Sequence, residues 1–295
     1  MDKYELESLK VGFIGGGNMA SAIGAGLIRK RVLDPNNVWV SARTENTLNF
    51  WRKLNANATL DNKQVVANCD IIFLAMKPQM FDEAISGISV TIKDGFQTKL
   101  FVSVLLGVTL DTLFNKLQDI VSHPRVIRSM PNTPMMVGEG ITVYCEKNAT
   151  EDDLNIVKRL FDYVGVTEHV PESLINAIGG LSGSGPAYAY LIVEALADGA
   201  VKMGVPRPMA TKFAAQLLVG AGKMVLETGR HPGQLKDEVC SPGGSTIAGV
   251  HAMERGQVRA SMMNAVEAAV HKSHEVASKL NEAKSTKSHI SFLTR

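Results

Sequence analysis

From Val11 onward, short runs of β-branched and aromatic residues alternate with stretches of helix length: Val11 to Ile14, Val38 to Ser41, Ile71 to Leu74, Leu100 to Val104 and Val126 to Met130. A strand that is apolar at every position must be covered on both faces, which a parallel sheet achieves by carrying helices above and below it. The pattern therefore predicts an α/β doubly wound domain. Its last strand is expected over Val166 to Val170, because everything after Pro171 is rich in Ala, Leu, Met and Gly at helical spacing. With 295 residues, more than one compact core usually holds, the chain is expected to divide in two. The predicted division is an α/β domain over 1–171, an all-α domain over 172–284 and a flexible tail over 285–295.

Composition removes several function classes. Lys plus Arg is 31 and Asp plus Glu is 29, so a net charge of +2 leaves no global field to hold nucleic acid or an anionic membrane. Recognition has to be local. Cys69, Cys145 and Cys240 are too few and too scattered for a disulfide framework, and no Cys/His spacing suits a metal. The histidines are dispersed apart from His271 and His274 on one late helix face. Apolar stretches stop well short of the roughly 20 residues of a membrane span, and the acidic start reads as neither secretory signal nor transit peptide. A cytoplasmic protein is the expectation, with a mitochondrial one left open.

One segment of the second domain predicts an assembly. After Pro186, the run to Lys202 carries only Glu194, Asp198 and Lys202 as charges, spaced four apart and hence on one narrow stripe of a helix. A domain of little more than a hundred residues has difficulty covering such a helix alone, and the close-spaced Ala and Gly of Met209 to Leu226 suit tight helix packing. A homodimer through the carboxy-terminal domain is the expectation. The alternative is a wholly internal helix of a monomer.

The 26 glycines are not evenly spread in meaning. Val11 to Ile14 is followed at once by Gly15-Gly16-Gly17-Asn18-Met19-Ala20, a Gly-x-Gly-x-x-Ala turn between a strand and a helix. Gly15 permits the tight turn, Gly17 lets backbone approach a pyrophosphate, and Ala20 stands where the helix packs on the strand. The amides at the helix start then face the phosphates. This is the fingerprint of a Rossmann dinucleotide site. The second strand ends Ser41-Ala42-Arg43-Thr44 with no carboxylate at its tip, Glu45 lying just beyond. Arg43 can fork onto a 2′-phosphate and Ser41 or Thr44 can donate to it, so NADPH is expected in preference to NADH. Lys77 and Pro78, after the strand at Ile71 to Leu74, are candidates to line the cleft. Asn62 is either a further lining residue or a plain helix cap.

Taken in order, Gly15 to Ala20, Ala75-Met76-Lys77-Pro78, Met130-Pro131-Asn132-Thr133-Pro134, Leu181-Ser182-Gly183-Ser184-Gly185-Pro186, His231 to Asp237 and Ser241-Pro242-Gly243-Gly244-Ser245-Thr246 resemble the pyrroline-5-carboxylate reductase family over nearly the whole chain. The resemblance implies NAD(P)H-dependent reduction of 1-pyrroline-5-carboxylate to L-proline. It also implies a Rossmann domain followed by a dimerisation domain, active sites at the dimer interface, and often a decamer of five dimers. It would place Gly16, Asn18 and Met19 on the dinucleotide, Ala75, Lys77 and Pro78 at the cleft with Asn62 nearby, and Glu172, Ser245 and Thr246 on substrate. Two departures stand out: Leu105 and Leu106 precede Gly107 where the family has small residues, and Gly179 replaces a frequent hydroxyl residue.

The substrate so implied is a cyclic imine bearing a carboxylate. Ser241 to Thr246 is a hydroxyl-rich glycine turn at a helix start, able to hold a carboxylate without an arginine, and Ser182 to Pro186 repeats that chemistry. An imine nitrogen is basic enough to be partly protonated near neutrality, so orientation can supply much of the catalysis. Thr246 is the candidate to hydrogen-bond that nitrogen. The competing readings are a related β-hydroxyacid dehydrogenase or imine reductase, and a non-catalytic NAD(P)-sensing protein. The first lacks its usual interdomain lysine here, and the second has no need of two hydroxyl-glycine helix starts.

Overall fold

The computed structural model describes residues 6–86, 88 and 99–293. It divides into two compact units, one running to Gly183 and including the chain from Val270 on, the other spanning Ser184 to Ala269.

The first unit is built on one eight-stranded sheet. Its strands are β1 (Val11–Ile14), β2 (Val38–Ser41), β3 (Asn57–Thr59), β4 (Ile71–Leu74), β5 (Leu100–Ser103), β6 (Arg125–Pro131), β7 (Gly140–Lys147) and β8 (Gly165–His169). Their spatial order is β3-β2-β1-β4-β5-β6-β7-β8. Every neighbouring pair is parallel except β6 with β7, which is antiparallel. The expected strands are present to within a residue or two, and two more join them. β3 is three residues long and half-buried at the edge, and β7 returns along β6 after the short turn at Thr133–Val137.

Alternation along the strands sorts the core into two layers, as expected of a doubly wound sheet. Phe13, Val40, Phe73 and Val102 pack on one face with Trp51 and Phe161. Ile14, Ile72, Leu74 and Phe101 pack on the other with Val65, Phe81 and Leu113. The rings of Phe13 and Phe73 stack at 4.9 Å between centroids, and Phe161 meets Phe73 edge-on at 6.0 Å. Four of the helices over these faces begin where short polar side chains cap them. After β1 come α1 (Asn18–Ala20), a π-helical turn (Ser21–Ala25) and α2 (Gly26–Arg29) without a break. Thr44 caps α3 (Glu45–Arg52), Asp61 caps α4 (Asn62–Asn68), and α5 (Phe81–Ser86) follows β4. Thr109 caps α6 (Leu110–Leu117), and Thr150 with Asp153 forms a capping box on α7 (Glu151–Asp162).

The break between the units lies at Gly183, twelve residues beyond the expected 1–171 boundary by direct count along the chain. The reason is α8 (Glu172–Ile178) and the π-helical turn after it (Gly179–Gly183), which are tied to β6. Arg128 donates to Glu172 and Asn176, and Asn132 Nδ2 donates to the carbonyl of Ser182 at 2.9 Å.

The second unit contains α9 (Gly185–Lys202), α10 (Arg207–Thr228), α11 (Pro232–Glu238), α12 (Ser245–Arg255) and the start of α13 (Val258–Leu293). Its buried cluster consists of Ala197, Ala210 and Ala214. Tyr190, Leu191, Phe213 and Leu217 are each more than half exposed. α13 runs on through 285–293, where a tail was expected, because the sequence after Gly256 contains neither Gly nor Pro to stop it. No helix among the described residues is long and apolar enough to cross a membrane.

Candidate active site

Strand order reverses on either side of β1, whose neighbours β2 and β4 carry the chain away in opposite directions. Ligands bind open α/β sheets outside the carboxyl ends of strands at such a point. A cleft of about 490 Å³ lies there, floored by the glycine loop and walled by the ends of β2 and β4. The Gly15 N–H donates to the Ser41 carbonyl at 3.0 Å, and the Ala75 N–H donates to the Ile14 carbonyl at 2.9 Å, which fixes the loop between both walls. Gly15 has φ +100, and a Cβ there would stand 2.7 Å from the Ala75 backbone, so this position requires glycine. Gly17 faces open space. The N–H groups of Gly16 and Gly17 meet no acceptor among the described residues, which leaves both for an anion.

At the β2 tip the predicted residues separate. Arg43 lines the cleft, is exposed, and has no carboxylate partner among the described residues, its recorded contact being Nη1 to Met80 Sδ at 3.8 Å. Glu45 is held away by Arg52 at 2.6 Å. Ser41 also lines the cleft, but it is fully buried and its Oγ donates to the Phe13 carbonyl at 3.4 Å. Arg43 and Thr44, beyond the strand end, are exposed at the cleft. Asn62 is a lining residue, since Asp61 caps α4 and Asn62 Nδ2 donates to the Ala84 carbonyl at 3.1 Å across the cleft wall. Ala75 and Lys77 also line it, whereas Asn18, Met19 and Pro78 do not. Met80 and Glu83, unanticipated from sequence, complete the α5 side.

The predicted substrate residues fall in both units. In the first, Glu172 Oε1 accepts from Arg128 Nη1 at 2.7 Å and from the Leu110 N–H at 2.8 Å, so one oxygen both pairs a buried guanidinium and caps α6. Ser182 is buried, its Oγ donating to the Ile178 carbonyl at 3.0 Å. Both side chains are thus engaged in holding α8 and its π-helical turn. In the second unit, Ser241 to Gly244 forms a turn in which Gly243 has φ +66 and the Gly244 N–H donates to the Ser241 carbonyl at 3.0 Å. Gly244 then starts α12 with no side-chain cap, leaving Ser245 and Thr246 exposed in its first turn beside amides that have no intrahelical acceptor.

Comparison with known proteins places this geometry. Residues 172–276 match the profile for pyrroline-5-carboxylate reductase dimerisation. Residues 10–107 match that for NADP oxidoreductase, coenzyme F420-dependent. The chain is 42% identical to pyrroline-5-carboxylate reductase 2 of Rattus norvegicus, over 94% of this chain and 86% of that protein. The chain belongs to the pyrroline-5-carboxylate reductase family. Identity to the Arabidopsis thaliana pyrroline-5-carboxylate reductase is 43%, over 92% of this chain and 96% of that one. Among solved structures, pyrroline-5-carboxylate reductase from Coxiella burnetii superposes with a TM-score of 0.80 at 34% identity, covering 91% of this chain and 98% of that one. The Plasmodium falciparum pyrroline carboxylate reductase, solved with NADP bound, gives 0.80 at 30% identity, with 92% and 99% covered.

A pyrroline-5-carboxylate reductase fold requires a dinucleotide, and the donors present suit one. Two amides and the charges of Arg43 and Lys77, none with a partner of opposite kind among the described residues, and a cradle closed to any Cβ at Gly15 suit a pyrophosphate and a further phosphate. The two departures from the family pattern have local accommodations. Leu105 is buried and Leu106 is partly exposed ahead of Gly107, which has φ +77. A Cβ at Gly179 would approach Met130 Cε to 2.5 Å, so glycine there makes room for the methionine tip. Sequence reasoning missed Arg128 and Trp51. Arg128 is a buried charge inside a strand, a signal in itself, but its partners are 44 and 48 residues away.

Proposed function

We propose that the protein reduces 1-pyrroline-5-carboxylate to L-proline, using NADPH in preference to NADH, as a homodimer joined through its helical unit. We further propose that such dimers assemble into a decamer. The observation that carries the cofactor reading is Arg43, a cleft-lining cation with no carboxylate partner among the described residues, at the strand tip where a 2′-phosphate is read. Family membership supports the substrate.

When bound, the dinucleotide supplies the hydride that reduces the imine carbon. The chain's own residues bind and orient. The N–H groups of Gly16 and Gly17 hold the pyrophosphate, Arg43 and Thr44 take the 2′-phosphate, and Asn62, Ala75 and Lys77 line the remainder of the cleft. Asn18 and Met19 act through the helix start, and Pro78 stiffens the turn that presents Lys77. The first turn of α12 grips the substrate carboxylate through its amides and Ser245, which needs no arginine because the helix start is itself electropositive. Thr246 hydrogen-bonds the ring nitrogen. Glu172 and Ser182 serve the site by fixing the segment that leads into the helical unit.

The test follows consumption of the reduced dinucleotide by absorbance with 1-pyrroline-5-carboxylate, with NADPH and NADH in parallel. Faster turnover with NADPH is expected. Arg43→Ala should raise KM for NADPH by roughly 10- to 100-fold, the loss of one charge-assisted contact, and leave NADH nearly unchanged. No turnover with either dinucleotide removes the substrate assignment, and an equal effect of Arg43→Ala on both removes its role at the 2′-phosphate.

A further inference from the structure

Beneath the glycine loop lies a group the reaction itself does not use. Trp51, on the last turn of α3, is fully buried, and its indole N–H donates to the Gly16 carbonyl at 3.0 Å. The ring is held by stacking on Phe13 at 5.7 Å between centroids and edge contact with Phe50 at 5.5 Å. Two glycines make space for it. A Cβ on Gly16 would lie 2.9 Å from Trp51 Nε1, and one on Gly24 would lie 2.8 Å from Trp51 Cη2. Gly24 sits in the π-helical turn Ser21–Ala25, so the first helix widens where the indole enters.

We propose that Trp51 is a positioning residue for the dinucleotide, its N–H fixing the Gly16 carbonyl and thereby aiming the Gly17 N–H into the cleft. The step between the two is peptide geometry. The Gly16 carbonyl and the Gly17 N–H belong to one planar trans peptide and point in opposite directions. Holding the carbonyl down into the core turns the N–H outward, and Gly17, having no Cβ and open space around it, cannot set that plane by side-chain packing. The inference rests on the reading of this cleft as a dinucleotide site. Because the Gly17 amide serves the pyrophosphate, shared by both dinucleotides, the effect falls equally on NADPH and NADH. This separates Trp51 from Arg43, which serves NADPH alone.

The experiment measures NADPH and NADH affinities of the full-length protein by calorimetry, for the wild type and Trp51→Phe. A second variant keeps the ring volume: in a Trp39→Phe background, residue 51 is replaced biosynthetically by benzothienylalanine, which has sulfur in place of the N–H. Both are expected to bind NADPH and NADH about ten-fold more weakly, by the same factor for each, as loss of one buried hydrogen bond predicts. Wild-type affinity in the benzothienyl protein overturns the proposal, because weakening in Trp51→Phe alone would then come from the cavity. Weakening confined to NADPH also overturns it. Wild-type protein that binds neither dinucleotide removes the cofactor reading and this inference with it. If wild-type binding holds but Arg43→Ala leaves NADPH affinity intact, only the 2′-phosphate assignment falls.

Discussion

The two units solve burial differently. In the first, Phe13, Phe73, Phe101 and Phe161 are at most 1% exposed, and each sheet face is closed by helices of the same chain. In the second, the buried cluster is three alanines, while Tyr190, Leu191, Phe213 and Leu217 are each 58 to 65% exposed. Burying a side chain such as Leu or Phe contributes about 1.5–3 kcal/mol, so a row of them left open is a stabilisation that only a second surface can supply. The α/β unit carries a finished core and a cofactor cleft at its switch point. The helical unit carries an unfinished core and an uncapped glycine turn at the start of α12, so folding and assembly are one problem there.

The sharpest way to break this contrast is a charge on the open face. Leu217→Glu costs a monomer little at an exposed position but buries an unpaired carboxylate in the proposed dimer. Self-association should weaken by on the order of 1000-fold while NADPH binding by the first unit persists. Size measurement across a dilution series checks it, and unchanged association would place the interface elsewhere. A smaller effect sharpens the second unit's chemical role. Thr246→Ala should lower turnover by a factor on the order of 10 to 100 without changing assembly, and unchanged kinetics would remove Thr246 from the mechanism.

The smallest effect reports on the closed core. Burial pushes the thiols of Cys69 and Cys145 up to about 12. Unfolded thiols ionise near 8.5, so between roughly pH 8.5 and 12 the unfolded chain binds fewer protons than the folded one. Their contribution to stability is complete below that range and is lost as pH rises through it. At pH 8 in native protein, a thiol reagent should modify at most Cys240, the other two reacting only on unfolding. Three fast-reacting thiols would mean that the first unit opens readily.

Much of the first unit was legible because its strands are continuous apolar runs and its nucleotide turn is local. The place of Gly15, Gly17, Arg43 and Lys77 at one cleft follows from a few residues of context. β3 was not, since Asn57-Ala58-Thr59 is short, polar and at an edge. β7 was not, since its run is broken by Thr142, Cys145 and Glu146 and pairs antiparallel. Ser41 was read from its place at the strand tip and does line the cleft, but its burial and its bond to the Phe13 carbonyl depend on packing that the strand tip alone does not reveal. The missed contacts are distant in sequence: Trp51 meets Gly16 across 35 residues and Arg128 meets Glu172 across 44. Periodicity identifies which face of an element is buried but does not identify its partner. For the helical unit the same limit was informative, since Glu194, Asp198 and Lys202 on one stripe led to the expectation of a partner copy, with a wholly internal helix as the alternative.

Sedimentation velocity on the full-length protein, with turnover assayed at each dilution, tests most directly whether a second copy completes the helical unit. The expected result is a mass at least twice the 31.8 kDa of one chain, with activity falling only where that species dissociates. A stable 31.8 kDa species with full turnover would contradict it.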